Sequence, residues 1–219
     1  MTAHEHRIAV SRSARYFTLG GGQPRQVWFV CHGYGQLAAR FLEKVRVLDD
    51  GSRYVVALEG LSRFYLSESP TERRVGASWM TREDRLAEIE DYVRYLDAVY
   101  ADVFGTLDRA HVTVHALGFS QGSATVSRWV ALGTARIDRL ILWGGDFPPD
   151  LDLTLEPAAE RLRATRPTLV YGRADEFITP KIASGIVARL RQHAIPCEEI
   201  VFEGGHALDD AVLRRLASG

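Results

Sequence analysis

Short, almost continuously apolar runs recur along this chain, each separated from the next by a stretch with helical spacing. The runs cover residues 27–31, 54–58, 111–117, 140–143, 168–171 and 198–202, and most are rich in β-branched or aromatic residues. A run this short that is apolar at every position is expected to be a strand buried on both faces. Between the runs, residues 37–48, 82–104, 121–132, 180–193 and 208–216 are expected to be helices. In the second of these, Leu86, Ile89, Tyr92, Val93, Leu96, Val99, Tyr100 and Val103 mark one apolar face. Gly133 and Pro180 supply a stop and a start. Such alternation predicts an α/β fold with a mostly parallel central sheet and helices on both faces. Residues 8–19 alternate instead, and are expected to form an antiparallel hairpin at one edge, followed by a turn at Gly20-Gly21-Gly22. No internal repeat, low-complexity tract or long linker divides the chain, so residues 1–219 are expected to form one domain, within the size that a single core supports. Residues 59–81 are the least regular stretch, a long excursion after a strand where binding loops occur.

Within this pattern, Gly118-Phe119-Ser120-Gln121-Gly122 falls between the run at 111–117 and the helix at 121–132. Strand, G-x-S-x-G and helix together make a nucleophile elbow. The serine sits on a sharp turn, and small residues two before and two after it let strand and helix close. A serine nucleophile needs a base, and the base needs an orienter. In this architecture they follow the serine as acid, then histidine, at later strand ends. Asp175 follows the run at 168–171, and His206 follows the run at 198–202 behind Gly204-Gly205. Ser120, His206 and Asp175 are therefore the candidate nucleophile, base and orienter. Glu176 and Asp146 are rival acids. His32-Gly33-Tyr34-Gly35 ends the first apolar run, where the second oxyanion amide should arise. The backbone N–H groups of Tyr34 and Gln121 are assigned to that hole, with His32 as a structural ring beneath the loop. His111, His115 and His193 have no assigned chemistry.

A net charge of −1 produces no global field for nucleic acid or an anionic membrane, so neither is an expected partner. Only Lys44 and Lys181 are lysines among the basic residues, and the arginines form no long run. Cys31 and Cys197 lie in apolar stretches, without disulfide or metal-ligand spacing, and no cofactor or metal is expected. There is no signal-peptide pattern and no apolar run long enough to span a bilayer, so a cytoplasmic location is expected.

His32-Gly33-Tyr34-Gly35, Gly118-Phe119-Ser120-Gln121-Gly122, Gly172-x-x-Asp175 and Gly204-Gly205-His206 together resemble the phospholipase/carboxylesterase family of α/β-hydrolases, which includes acyl-protein thioesterases. Trp79 resembles the tryptophan that the family places before its long helix. The chain departs from the family pattern at Gln36, Ser123 and Ile178-Thr179. The resemblance implies an α/β-hydrolase fold and a carboxylic-ester hydrolase working through an acyl-serine. The stretch at 145–167 is too short for a large cap domain. Phe64, Tyr65, Leu66, Trp79, Met80, Phe147 and Phe177 are candidates to line an acyl groove. The expected partner is a small-molecule ester of small or medium acyl chain, and a homodimer is left open. An acyl thioesterase or lysophospholipase, and a non-catalytic binding protein on the same fold, are the competing readings.

Overall fold

A computed structural model describes residues 2–69, 71 and 73–218 of the chain. Seven strands form the main sheet: β1 (Tyr16–Gly20), β2 (Gln26–Cys31), β3 (Arg53–Leu58), β6 (Thr113–Phe119), β7 (Arg139–Trp143), β8 (Thr168–Gly172) and β9 (Glu198–Phe202). A two-stranded antiparallel hairpin, β4 (Ser62–Tyr65) with β5 (Val75–Ser78), stands apart from it. The helices are α1 (Ala38–Lys44), α2 (Arg85–Phe104), α3 (Gln121–Leu132), α4 (Ala158–Thr165), α5 (Pro180–Gln192) and α6 (Asp210–Ala217).

The sheet order is β1-β3-β2-β6-β7-β8-β9. Only β1 runs antiparallel to its neighbour. The continuous apolar runs are explained by side chains that alternate between two buried faces. Val27, Phe29 and Cys31 of β2 join a core that includes Leu96 and Val99 of α2, Val126 and Trp129 of α3, and Leu190 of α5. Trp28 and Val30 of the same strand face the opposite core, built with Phe41 of α1 and Leu213 of α6. Phe29 meets Trp129 edge-on at 5.4 Å, locking α3 against the sheet. This is the α/β-hydrolase arrangement, with a mostly parallel sheet covered on both faces.

The chain runs outward from β2 to β3 in one direction and from β6 to β9 in the other. The crevice at the carboxyl ends of β2 and β6 is therefore a topological switch point, where open α/β sheets bind ligands. Cys31 pairs in register with Gly118 there, so the two glycine-rich segments emerge side by side.

Three expectations need correction. Residues 8–19 do not make a hairpin: only Tyr16–Gly20 is a strand, and it pairs with β3. Ile8 and Val10 are exposed, so the alternation there buries no face. The irregular stretch at 59–81 contains the β4–β5 hairpin, whose short strands lack the apolar density of core strands. Helix α2 begins at Arg85, because Asp84 takes a left-handed conformation at φ 44°. No helix among the described residues is long and apolar enough to cross a membrane.

Candidate active site

The elbow forms where β6 ends. Ser120 has φ 54° and ψ −118°, a left-handed conformation unusual for a residue with a side chain. Its N–H donates to the Trp143 carbonyl at 2.8 Å, and its carbonyl accepts from Ser123 N–H at 2.9 Å. The close approach explains the flanking glycines. A Cβ on Gly118 would lie 2.1 Å from the Gly122 carbonyl oxygen, and one on Gly122 would lie 2.3 Å from that of Cys31. Strand β6, helix α3 and strand β2 thus touch backbone to backbone around the serine.

The acid and histidine arrive from two further strand ends. Asp175 lies just beyond β8, and its side chain is 1% exposed. One carboxylate oxygen accepts from the N–H groups of Phe177 at 2.8 Å and Ile178 at 3.0 Å. The other lies 3.0 Å from His206 Nδ1. Both oxygens are committed, so the carboxylate orients the ring and fixes Nδ1 as its protonated nitrogen. Nε2 has no hydrogen-bond partner among the described residues. The rings of Phe119 and Phe177 flank the imidazole at 4.9 Å and 4.6 Å. Gly144, after β7, is packed so closely that a Cβ would lie 3.2 Å from both Asp175 Oδ2 and His206 Nδ1. Of the rival acids, Glu176 and Asp146 are both exposed. The Nδ1 partner of His206 is Asp175. No hydrogen bond joins Ser120 Oγ to His206 among the described residues, and such bonds often tighten only in a substrate complex.

On the other side of Ser120, the loop after β2 carries Tyr34. Gly33 lies against the serine, since a Cβ there would be 3.1 Å from Ser120 Cβ. The loop binds at Gly33, Gly35 and Gln36, whose N–H groups donate to Gln36 Oε1, the Ala77 carbonyl and the Gly33 carbonyl. Tyr34 N–H has no acceptor among the described residues. Gln121 N–H opens α3, where the first amides of a helix lack intrahelical partners.

His32 is fully buried beneath this loop, as expected of a structural ring. Its Nε2 accepts from Gly60 N–H at 3.0 Å, so Nδ1 carries the proton and donates to the Gly33 carbonyl at 2.8 Å. Burial lowers its pKa and keeps it neutral.

The proposed groove residues separate into two groups. Tyr34 and Phe64 meet at a ring distance of 5.2 Å, and Leu66 lies against Gly35. Tyr65, the next residue of β4, is exposed, and alternation along the strand turns it to the other face from Phe64. Phe177 stands exposed on the histidine side. Trp79 and Phe147 are each 2% exposed and pack into the core, Phe147 also edging a crevice with Asp146, Ile182 and Arg189. Trp79 is drawn inward because its Nε1–H donates to the His32 carbonyl at 2.8 Å. Phe147 is held under the Arg189 guanidinium, 5.2 Å from its ring. Met80 is half-buried against the core.

Two side chains at the site went unassigned from sequence. The sequence pattern assigns Gln121 a backbone role only. Its side-chain amide donates to the Met80 carbonyl at 2.8 Å and accepts from Trp79 N–H at 3.1 Å, tying the start of α3 to the segment after β5. Glu59 is buried at the end of β3. The available signal was a carboxylate placed directly after the apolar run at 54–58.

No protein-family model matches the chain. No curated protein sequence matches it either. Solved structures do. A carboxylesterase from Mesorhizobium loti superposes with a TM-score of 0.70 at 22% identity, covering 93% of this chain and 94% of that one. Acyl-protein thioesterase 2 from Zea mays gives a TM-score of 0.68 at 15% identity, with coverage of 94% and 99%. Esterase PE8 gives 0.64 at 20% identity, with coverage of 94% and 96%. At these identities the likeness is one of fold, and it makes the chain an α/β-hydrolase-fold protein over nearly its whole length.

Proposed function

We propose that this protein is a serine hydrolase that cleaves carboxylic esters of small or medium acyl chain through an acyl-serine intermediate. The observation that carries the reading is the 3.0 Å pairing of His206 Nδ1 with buried Asp175, formed at strand ends beside a serine on a strained elbow. A binding module on this fold has no need of that combination. The names of the carboxylesterase, esterase and thioesterase structures of like fold agree with the reading.

In the proposed cycle, Ser120 Oγ attacks the ester carbonyl while His206 Nε2 takes its proton. Asp175 holds the ring and stabilises the imidazolium. The N–H groups of Tyr34 and Gln121 receive the negative oxygen of the tetrahedral intermediate. His206 then returns the proton to the departing alcohol, leaving Ser120 acylated. Water, deprotonated by the same nitrogen, releases the acid.

Hydrolysis of p-nitrophenyl acetate and butyrate by wild type and Ser120→Ala tests this. The expected result is turnover lost by about 10⁴-fold or more in the variant, with fluorophosphonate labelling of wild type only. Equal rates, or labelling elsewhere than Ser120, would overturn it. A second reading, an acyl thioesterase on the same machinery, is favoured by the fold shared with the maize thioesterase. Matched oxygen esters and thioesters of increasing chain length separate the two by kcat/KM.

A further inference from the structure

We infer that Glu59 is a positioning residue for the oxyanion loop, and that it links this loop to the β4–β5 hairpin wall; the inference rests on the hydrolase reading above. Residues 32–37 have to place one amide, that of Tyr34, to within a fraction of an ångström. The loop's two ends are gripped by consecutive residues beyond β3. Gly60 N–H donates to His32 Nε2 at the start of the loop. The Glu59 carboxylate accepts from Ala38 N–H at 3.2 Å at its end. Ala38 is the first residue of α1, and the capping residue Leu37 contributes no side-chain cap. Glu59 therefore supplies from a distance the anion that a helix start favours.

The other Glu59 oxygen faces the hairpin and the N-terminal segment. It accepts from Arg15 Nε at 2.6 Å and from Arg63 Nη1 at 3.2 Å. The Glu59 side chain is 1% exposed, against 49% and 42% for the two arginines. Burial disfavours its charge, yet the hydrogen bonds from Arg15 and Arg63 outweigh burial and hold the carboxyl below its ordinary range. Arg63 lies in β4 next to Phe64, whose ring packs on Tyr34. One buried carboxylate thus joins the end of the oxyanion loop to the strand that carries the groove wall. A stability role alone would not require the same group to hold both.

The test uses the full chain and compares Glu59→Gln with Arg63→Met, each scored per active site titrated with fluorophosphonate. Glu59→Gln keeps the shape but has a single acceptor oxygen, which the two guanidiniums of Arg15 and Arg63 claim, so its N–H₂ turns toward Ala38 N–H and that bond is lost. Its kcat on p-nitrophenyl acetate is expected to fall about tenfold or more with KM within about twofold, since a small misplacement of an oxyanion donor acts on the transition state. Its pH profile should keep the wild-type shape, because His206 and Asp175 are untouched. Arg63→Met should keep kcat and raise KM for butyrate more than for acetate. Should Glu59→Gln fail to fold, Ala38→Pro removes the same bond from the donor side. Proline suits a first helical position, and Leu37 at φ −111°, ψ 143° suits the residue before it. An unchanged kcat per titrated site in the folded variant overturns this inference alone. Wild type without Ser120-dependent turnover overturns it together with the hydrolase reading.

Discussion

The elbow around Ser120 and the arm formed by residues 59–81 meet at the same crevice, but they are held by different means. The elbow is held by shape. Gly118 and Gly122 allow three backbones to touch, and no side-chain hydrogen bond caps the start of α3. The arm pairs by backbone with Gly35 and Gln36 through Ala77, and is otherwise held by side chains reaching across long stretches of sequence. Glu59 binds Arg15 and Ala38, Glu88 binds Thr81 N–H and Ser62 Oγ, and Gln121 binds the segment at 78–80. A region held by shape fails when volume is added. A region held by polar contacts gives way one contact at a time.

The largest expected effect is therefore at the elbow. Gly122→Ala places a methyl against the Cys31 and His32 carbonyls, backbone that cannot yield without parting β2 from α3. It should cost about 3 kcal/mol or more in urea denaturation and abolish Ser120 labelling. Near-wild-type stability would break the contrast. On the arm, Gln121→Leu removes the clamp on Trp79 and Met80 while sparing the amide of residue 121. A loss of about 1–2 kcal/mol and a fall in kcat of roughly tenfold are expected, measured by thermal melting and by initial rates on p-nitrophenyl acetate.

The third effect belongs to the strand under the elbow. His115 is buried in β6, stacked on Trp28 at 4.1 Å, and neither ring nitrogen has a hydrogen-bond partner. Burial pushes its pKa down to about 3, from the 6.5 of an exposed histidine. The unfolded chain takes up this proton first. The stabilisation is complete above the unfolded value and is lost as pH falls from there towards the folded one. At pH 5.5 the loss is on the order of 1 kcal/mol. His115→Phe, which keeps the stack, should flatten the melting temperature across this range, and an unchanged slope would refute the assignment. The smallest effect is expected from Glu88→Gln, under about 1 kcal/mol in the same melts, because the contact is at the surface.

The fold was legible because its strands are buried on both faces. Such strands need apolar residues at every position, and that pattern survives in the linear chain. Boundaries moved by a few residues, and helix α4 went unmarked because only its inner face is apolar. The hairpin β4–β5 was not legible, since its strands are four residues long and only partly buried. Asp175 could be separated from Glu176 only in three dimensions. The two are adjacent in sequence, yet one is buried against His206 and the other exposed. Trp79 and Phe147 looked like groove residues because aromatic rings suit a core and a pocket equally well.

The chain by itself determined the elbow, the alternation that builds the sheet and the order of serine, acid and histidine. Each depends on local backbone geometry or on burial, which leave a periodic or fixed-spacing mark. Tertiary structure decided which carboxylate pairs with His206, which aromatic rings flank its imidazole, and what Glu59 holds. Those outcomes depend on distances between residues far apart in the chain, and no local pattern records them.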